Sequence, residues 1–256
     1  MRKTSIQILG VRINLVDYES VLSFIKKCIR TRSLGHYICV CPVHPIMVSR
    51  SDHELKSALD KSLLAVPDGM PVVWAARLLG ASIKERVYGP DLMLKTCKMA
   101  EEAGYSIFLY GGEPATLDKL IGKLLHQFPR LQIAGAYSPP FRKLLPGEKT
   151  AMIGMIKSTS PDILFVGLGV PKQEKWMADA CPSIRVPVSI GVGAAFDFLS
   201  GEKKQAPGWM QYRGLEWLFR LANEPRRLWA RYLVYNNLFI ILFMKQFLSE
   251  RKSSGK

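Results

Sequence analysis

Short apolar runs rich in β-branched residues alternate with helix-forming segments along most of the chain, and this alternation constrains the fold more than any other feature. Strands that alternate with helices in this way are typical of βαβ units and a buried parallel sheet. The sequence therefore predicts an α/β fold with a doubly wound, mostly parallel, Rossmann-like sheet in a core of residues 1–200. The predicted strands include HYICVCPV (36–43), YSIFLYGG (105–112), LQIAGAY (131–137), DILFVGLG (162–169) and VPVSIGVG (186–193).

The segment 201–256 has a different composition. The chain carries a net charge of +15, and residues 202–256 hold eleven basic and four acidic residues, which is nearly half of that excess. Three of the five tryptophans also lie there, at Trp209, Trp217 and Trp229. We therefore expect a basic, aromatic, helical appendage over 201–256. The overall charge favours an anionic partner, whether nucleic acid, acidic lipid or a phosphorylated substrate.

Helical periodicity continues through this appendage. GWMQYRGLEWLFRLANEP (208–225) predicts one amphipathic helix, and Pro225 suits the first turn of the next. The most apolar stretch, 233–244, has twelve residues, whereas a membrane-spanning helix needs about 20. Tryptophans beside arginines instead favour an interfacial helix on acidic headgroups. The alternative is a helix that packs on the core or on a second subunit, so a homo-oligomer is one of the predicted alternatives.

The five cysteines form no CxxC pair and are expected to be buried free thiols of a reducing compartment. The four histidines show no HxxxH or HExxH spacing, and no DxD pair is present, so a metal-dependent mechanism is disfavoured. The N-terminal stretch MRKTSIQILGVRINLV is interrupted by polar residues and has no small-residue cleavage site. We interpret it as a strand without a signal peptide.

Ligands of doubly wound sheets bind beside the carboxyl ends of the strands, so the residues that follow each strand are the first candidates for a site. Asp68, in VPDGMP, follows a predicted strand. A carboxylate there either caps the next helix or serves as a general base. Arg86, in KERVYGPD, either binds a phosphate through two hydrogen bonds or is an ordinary solvated arginine.

Glycines follow several of these strands, where they allow close approach of a ligand to the backbone and expose helix N-termini. Residues 191–196 match two glycines of GxGxxG and have Phe196 in place of the third, late in the chain, which disfavours a dehydrogenase. Asp197 either contacts a nucleotide or caps a short helix. The candidate nucleotide contacts are Gly111, Gly112, Glu113, Gly169, Lys172, Gln173, Gly191, Gly193 and Asp197.

Several longer motifs occur in a consistent order: PDGMPVVWAARLLG, ERVYGPDLM, LYGGEP, PDILFVGLGVPKQEKWM, PVSIGVGAAFDFLSGEKKQAP and GLEWLFRLANEPRRLWARYL. Together they closely resemble the WecG/TagA/CpsF family of bacterial glycosyltransferases, glycosyltransferase family 26, from about residue 8 to 235. The resemblance implies an inverting, metal-independent and cofactor-free enzyme. Its members transfer a sugar, such as N-acetylmannosamine or N-acetylmannosaminuronic acid, from a UDP-sugar to a polyprenyl-diphosphate-linked saccharide.

The resemblance also implies partners and residue roles. Such an enzyme acts in cell-surface polysaccharide synthesis as a peripheral protein at the cytoplasmic face of the plasma membrane, without a nucleic-acid partner. The family's proposed base matches Asp68, its loop arginine matches Arg86, and its PKQE glutamine matches Gln173. Its C-terminal arginines fall at or near Arg220, Arg227 and Arg231 and would bind the acceptor or its diphosphate.

One departure from the family pattern concerns sugar specificity. TagA-like members carry Thr-x-Asn after the second core strand, whereas this chain has VCPVH, so the amide is missing at Pro42 or Val43. His44 either takes the vacated place as a polar contact to the acceptor or only packs. Two other classes of function remain as alternatives: an NAD-type oxidoreductase, and a non-catalytic basic module that binds membrane or nucleic acid.

Overall fold

The computed structural model describes residues 4–142 and 144–254. Its strands are β1 (Ser5–Ile8), β2 (Val11–Asn14), β3 (His36–Cys41), β4 (Leu64–Pro67), β5 (Ser106–Gly111), β6 (Gln132–Tyr137), β7 (Ile163–Gly167) and β8 (Val188–Gly191). The helices before residue 201 are α1 (Tyr18–Arg30), α2 (Val43–Val48), α3 (His53–Lys61), α4 (Met70–Leu78), α5 (Gly89–Ala103), α6 (Pro114–Gln127), α7 (Pro146–Thr159), α8 (Lys172–Ile184) and α9 (Ala195–Ser200).

Six strands form a parallel sheet in the order β4-β3-β8-β7-β5-β6. Helices cover both faces: α1, α5, α6 and α9 pack on one, and α2, α3, α4, α7 and α8 pack on the other. With both faces covered, the central strands need apolar side chains in both directions. This is why β3, β7 and β8 are almost continuously apolar, and it confirms the predicted doubly wound α/β fold.

The N-terminal segment, predicted as a strand, forms an antiparallel hairpin instead of one strand. Its strands β1 and β2 turn at Leu9 and Gly10, both with positive φ, which is the geometry of a tight two-residue hairpin. The hairpin is fixed to the edge of the main sheet because the Ala65 amide of β4 donates to Asn14 Oδ1 at 2.9 Å.

The appendage contains α10 (Gly208–Tyr212), α11 (Glu216–Asn223), α12 (Pro225–Trp229), a π-helical turn (Ala230–Val234) and α13 (Tyr235–Ser254). The prediction of one helix over 208–225 is wrong, because the chain turns at Gly214, whose φ is +74°. Pro225 does begin the next helix, as expected.

Helix α13 packs against the core. Phe239 and Phe243 are buried among residues of the hairpin and of α2, and Gln246 accepts from the Leu9 amide at 2.8 Å and donates to the Gln7 carbonyl at 2.9 Å. Among the helices that the structure describes, none combines the length and the apolar composition that a membrane span requires. All five cysteines are free and buried, as predicted.

Candidate active site

A cleft lies beyond the carboxyl ends of β3 and β4. Residues of the core and of the appendage line it together, so neither part forms the cleft alone. Its wall consists of Pro42, Val43, His44, Asp68, Gly69, Met70, Pro71, Arg86, Gly214, Glu216, Trp217, Arg220, Arg231, Tyr232 and Asn236. The position agrees with the rule that ligands bind at strand carboxyl ends in such sheets.

Asp68 lines this cleft directly after β4. The first turn of α4 receives no side-chain cap, and its N-cap position is Gly69 with φ +75°, so the capping interpretation of Asp68 is wrong. Burial raises the pKa of the Asp68 carboxyl to about 6, and the negative charge of Glu216 adds to the increase, whereas the guanidinium of Arg86 opposes it. A carboxyl group that titrates close to neutral pH is suited to general-base chemistry.

Arg86 is not a solvated arginine. Its Nη1 lies 2.8 Å from Glu216 Oε2, and its Nη2 donates to Gln211 Oε1 at 2.6 Å. The guanidinium also lies over the Tyr88 ring, 4.4 Å from its centroid. Two residues of the appendage therefore fix a side chain of the core in the wall of the cleft.

Arg220 and Arg231 bring two further cations into the cleft. Arg220 Nη1 lies 3.8 Å from Glu216 Oε1, and its guanidinium faces the Phe198 ring. Within residues 4–142 and 144–254, Arg231 has no carboxylate within 4.0 Å, and burial lowers its pKa. Three guanidinium groups thus face two carboxylates, so the cleft can accept an anion such as a diphosphate.

His44 lines the cleft from the first turn of α2. Burial and, to a smaller extent, the nearby Arg231 lower its pKa to about 4, so the ring is neutral at physiological pH. The ring packs against Tyr235 with a centroid distance of 5.3 Å, and its Nδ1 is buried with no partner among the described residues. The structure therefore places His44 in the wall of the cleft and leaves its Nδ1 without a partner among the described residues, so its contact to the acceptor stays a prediction.

The glycines predicted to contact a nucleotide differ in their surroundings: some pack tightly against other protein atoms, and others do not. A Cβ at Gly111 would lie 2.7 Å from the Gly167 backbone, and one at Gly191 would lie 2.7 Å from Met177 Cε, so close packing within the protein explains these glycines. Gly169 has φ +75° and no atom within 4 Å of its Cβ position, so it borders open space at the end of β7. Gly112 and Gly193 also have positive φ, at +72° and +57°.

The other predicted nucleotide contacts lie at the same edge of the sheet with their side chains in different surroundings. Gln173 is only 1% exposed and hydrogen bonds inside the protein. Asp197 lies inside α9 and pairs with Lys203 at 2.7 Å, so it does not cap the helix. Glu113 and Lys172 are exposed at the starts of α6 and α8. Whether these residues bind a nucleotide stays a prediction.

Arg227 is not in the cleft. It is exposed, and it pairs with Glu224 of its own segment at 2.6 Å. The structure therefore separates it from Arg220 and Arg231, with which the sequence had grouped it.

Sequence reasoning missed Glu216 and Tyr232, although both lie in the stretch that carries the arginines. Their place in that stretch was the only feature of the sequence that pointed to the cleft, because nothing in the local sequence shows that Glu216 contacts Arg86. It also missed Glu174, a fully buried carboxyl in the first turn of α8. Among the described residues, no group of three or more His, Cys, Asp or Glu side chains is arranged to hold a metal ion.

Comparison with known proteins gives one family and close relatives within it. The model of the glycosyl transferase WecG/TagA/CpsF family matches residues 6–253. A Bacillus subtilis (strain 168) protein named N-acetylglucosaminyldiphosphoundecaprenol N-acetyl-beta-D-mannosaminyltransferase is 31% identical over 217 residues, which is 85% of this chain and 82% of the relative. A protein of the same name from Bacillus spizizenii (strain ATCC 23059 / NRRL B-14472 / W23) is 28% identical over 224 residues, which is 87% of this chain and 85% of the relative.

Proposed function

Because the chain belongs to the WecG/TagA/CpsF family and is a glycosyltransferase, we propose that it transfers a sugar from a UDP-sugar to a polyprenyl-diphosphate-linked saccharide. The product is an intermediate of a bacterial cell-surface polysaccharide. The two Bacillus relatives are named for an N-acetylglucosaminyl-diphosphoundecaprenol acceptor and an N-acetylmannosaminyl donor group, and this acceptor is the first one to test.

One observation carries the proposal: a carboxyl group with a pKa of about 6 shares a cleft with three guanidinium groups. Asp68 supplies a base, and Arg86, Arg220 and Arg231 supply positive charge for a diphosphate. This is the combination that acid–base catalysis on a phosphorylated substrate requires.

In the proposed reaction, the Asp68 carboxylate takes the proton of an acceptor hydroxyl. The hydroxyl oxygen forms a bond to the anomeric carbon, while the bond from that carbon to the β-phosphate oxygen breaks and its electron pair leaves with UDP. Attack on the face opposite UDP inverts the configuration. A positioned general base contributes on the order of 10² to 10⁴ in rate.

The donor is proposed to lie across the ends of β8, β7 and β5, next to the cleft. The sheet order supports this arrangement because β8 lies between β3 and β7. Gly169 and Gly193 border this region, and the N-terminal turn of α8 faces the same edge of the sheet. Helix N-terminal amides and arginines then stabilise the charge of the leaving diphosphate, and no metal is needed.

The acceptor is bound to a lipid, so the enzyme is proposed to work as a peripheral protein at the inner face of the cytoplasmic membrane. Trp209 and Trp229 support this because they are 58% and 55% exposed on the appendage that lines the cleft. Aromatic side chains beside arginines suit the headgroup region of an anionic membrane.

The test is a panel of UDP-sugars with a short-chain polyprenyl-diphosphate-N-acetylglucosamine acceptor, assayed with and without EDTA. We expect transfer of one sugar with inversion, unchanged by EDTA. The Asp68→Asn variant should keep UDP affinity and lose turnover by about 10² or more. Stabilisation by NAD without UDP binding would instead support an oxidoreductase, and salt-sensitive nucleic-acid binding without nucleotide preference would support a binding module.

A further inference from the structure

Glu174 is a buried carboxyl group that forms no ion pair with the described residues of the chain. It lies in the first turn of α8, is 0% exposed, and has no Lys, Arg or His nitrogen within 4.0 Å in the described parts of the chain. Its Oε1 accepts a hydrogen bond from Gln173 Nε2 at 2.8 Å, whereas Oε2 is buried without a partner. Burying such a group costs free energy that one hydrogen bond offsets only in part.

Gln173 connects Glu174 to the turn that follows β8. Its Oε1 accepts from the Gly193 amide at 2.9 Å. Its Nε2 lies against Gly191, since a Cβ there would be 3.1 Å away. The amide of Gln173 therefore spans the distance between a helix N-terminus and a glycine turn at the end of the central strand.

A glutamine amide can rotate by 180° and exchange its oxygen with its nitrogen. In the rotated state, the amide nitrogen of Gln173 would face the Gly193 N–H, and its oxygen would face Glu174 Oε1. A donor would then face a donor, and an acceptor would face an acceptor. Glu174 disfavours that state because Oε1 accepts, both in the ionised form and when the proton is on Oε2. The carboxyl group thus selects the amide orientation that binds Gly193.

We propose that Glu174 is a positioning residue: it fixes the amide of Gln173, and Gln173 holds the 191–193 turn in the shape that the donor subsite needs. The role of Glu174 in catalysis rests on the proposed function, which places the donor beside this turn. The link from Glu174 to the turn itself does not depend on the identity of the substrate.

The surroundings of Glu174 fit a group that works through one hydrogen bond and not through an ion pair. The thiols of Cys39 and Cys41 in β3 lie near it, and the guanidinium of Arg231 attracts it weakly. Burial raises its pKa to about 7, and the hydrogen bonds from Gln173 and from its own backbone amide, together with the charge of Arg231, only partly oppose the increase. Oε1 can accept from Gln173 in the ionised form, and also in the protonated form when the proton is on Oε2.

The test compares two variants of the full-length enzyme. Glu174→Met removes the acceptor while filling the space, and Glu174→Gln keeps an oxygen that can accept. We expect Glu174→Met to increase hydrogen exchange of the Gly193 amide and the Kd for UDP on the order of tenfold, without a lower Tm. Glu174→Gln should keep both the exchange rate of the Gly193 amide and the Kd for UDP within about twofold of the wild-type values.

Glu174 should act on Gly193 and on UDP binding only through Gln173. In the Gln173→Leu background, Glu174→Met should add nothing to Gly193 exchange or to the Kd for UDP, because the link is already broken. A purely structural Glu174 would instead change Tm and exchange throughout the chain.

Two results would overturn the proposal. One is a Glu174→Met enzyme with unchanged Gly193 exchange and unchanged UDP affinity. The other needs no variant: a wild-type Gly193 amide that exchanges as fast as amides in exposed loops. If the wild-type enzyme does not bind UDP, the proposed function fails, and Gly193 exchange still decides the role of Glu174.

Discussion

Arg86 Nη1 and Glu216 Oε2 lie 2.8 Å apart, although the two residues are 130 positions apart in the chain. Both side chains are largely buried, with 12% and 14% exposed. The ion pair therefore joins the core and the appendage inside the cleft that holds Asp68. The appendage is part of the site, and removing it would also uncover the apolar residues of the hairpin and of α2 on which its Phe239 and Phe243 pack.

Removing Glu216 should destabilise the protein. Glu216→Ala leaves Arg86 buried without its ion pair, and loss of one partner of a buried pair costs about 3 kcal/mol or more. Urea unfolding of both proteins measures the difference. The matched control is Glu202→Ala, which removes an exposed pair with Lys119 and should cost about 0 to 1 kcal/mol. Equal losses in the two variants would argue against a role of the Arg86–Glu216 pair in joining the two parts.

Activity should decrease at acidic pH as Asp68 becomes protonated. Because its pKa in the folded protein is raised to about 6, the carboxylate is available above that pH and is lost below it. We expect kcat/KM to fall about tenfold per pH unit below pH 6. Glu216→Gln removes a charge that raises this pKa and should move the decrease to lower pH. A wild-type profile that stays flat down to pH 4 would rule out Asp68 as the base.

The three C-terminal arginines should differ in their effect on turnover. Arg220→Ala and Arg231→Ala remove cations from the cleft, and each should lower kcat/KM by about 10² to 10³. Arg227→Ala should lower it less than about threefold, since Arg227 is exposed and pairs with Glu224 outside the cleft. Steady-state kinetics with a short-chain acceptor gives all three values. A large loss in Arg227→Ala alone would mean that the diphosphate binds elsewhere.

Membrane binding should depend on the exposed tryptophans of the appendage. The double variant Trp209→Gln/Trp229→Gln should bind anionic vesicles about tenfold more weakly, and its turnover on a water-soluble acceptor should not change. Phe141→Gln is the control because Phe141 is 86% exposed outside the appendage. Vesicle sedimentation measures both. If the control loses as much binding, the membrane surface is not on the appendage.

Local patterns were sufficient to predict the parallel sheet. Strands such as β7 and β8 are buried on both faces, so their apolar character is visible in the sequence itself. The same reasoning located Asp68 and His44, because residues that follow parallel strands lie at one edge of the sheet. The predicted helix over 208–225 failed because Gly214 has a left-handed conformation that helical periodicity does not reveal.

The sequence by itself determined the alternation of strands and helices in the core and the residues that follow the strands, since these depend on side-chain periodicity and on neighbours a few positions away. Only the tertiary structure decided that Glu216 meets Arg86, that Arg231 enters the cleft while Arg227 stays outside, and that Gln173 turns inward to Gly193. The physical reason is that the contacts of the appendage depend on how its last helix packs, whereas Gln173 meets Gly193 because β7 and β8, which precede them, are neighbours in the sheet. Phe239 and Phe243 insert into the core beside the N-terminal hairpin, and this long-range burial returns the appendage to the carboxyl ends of β3 and β4.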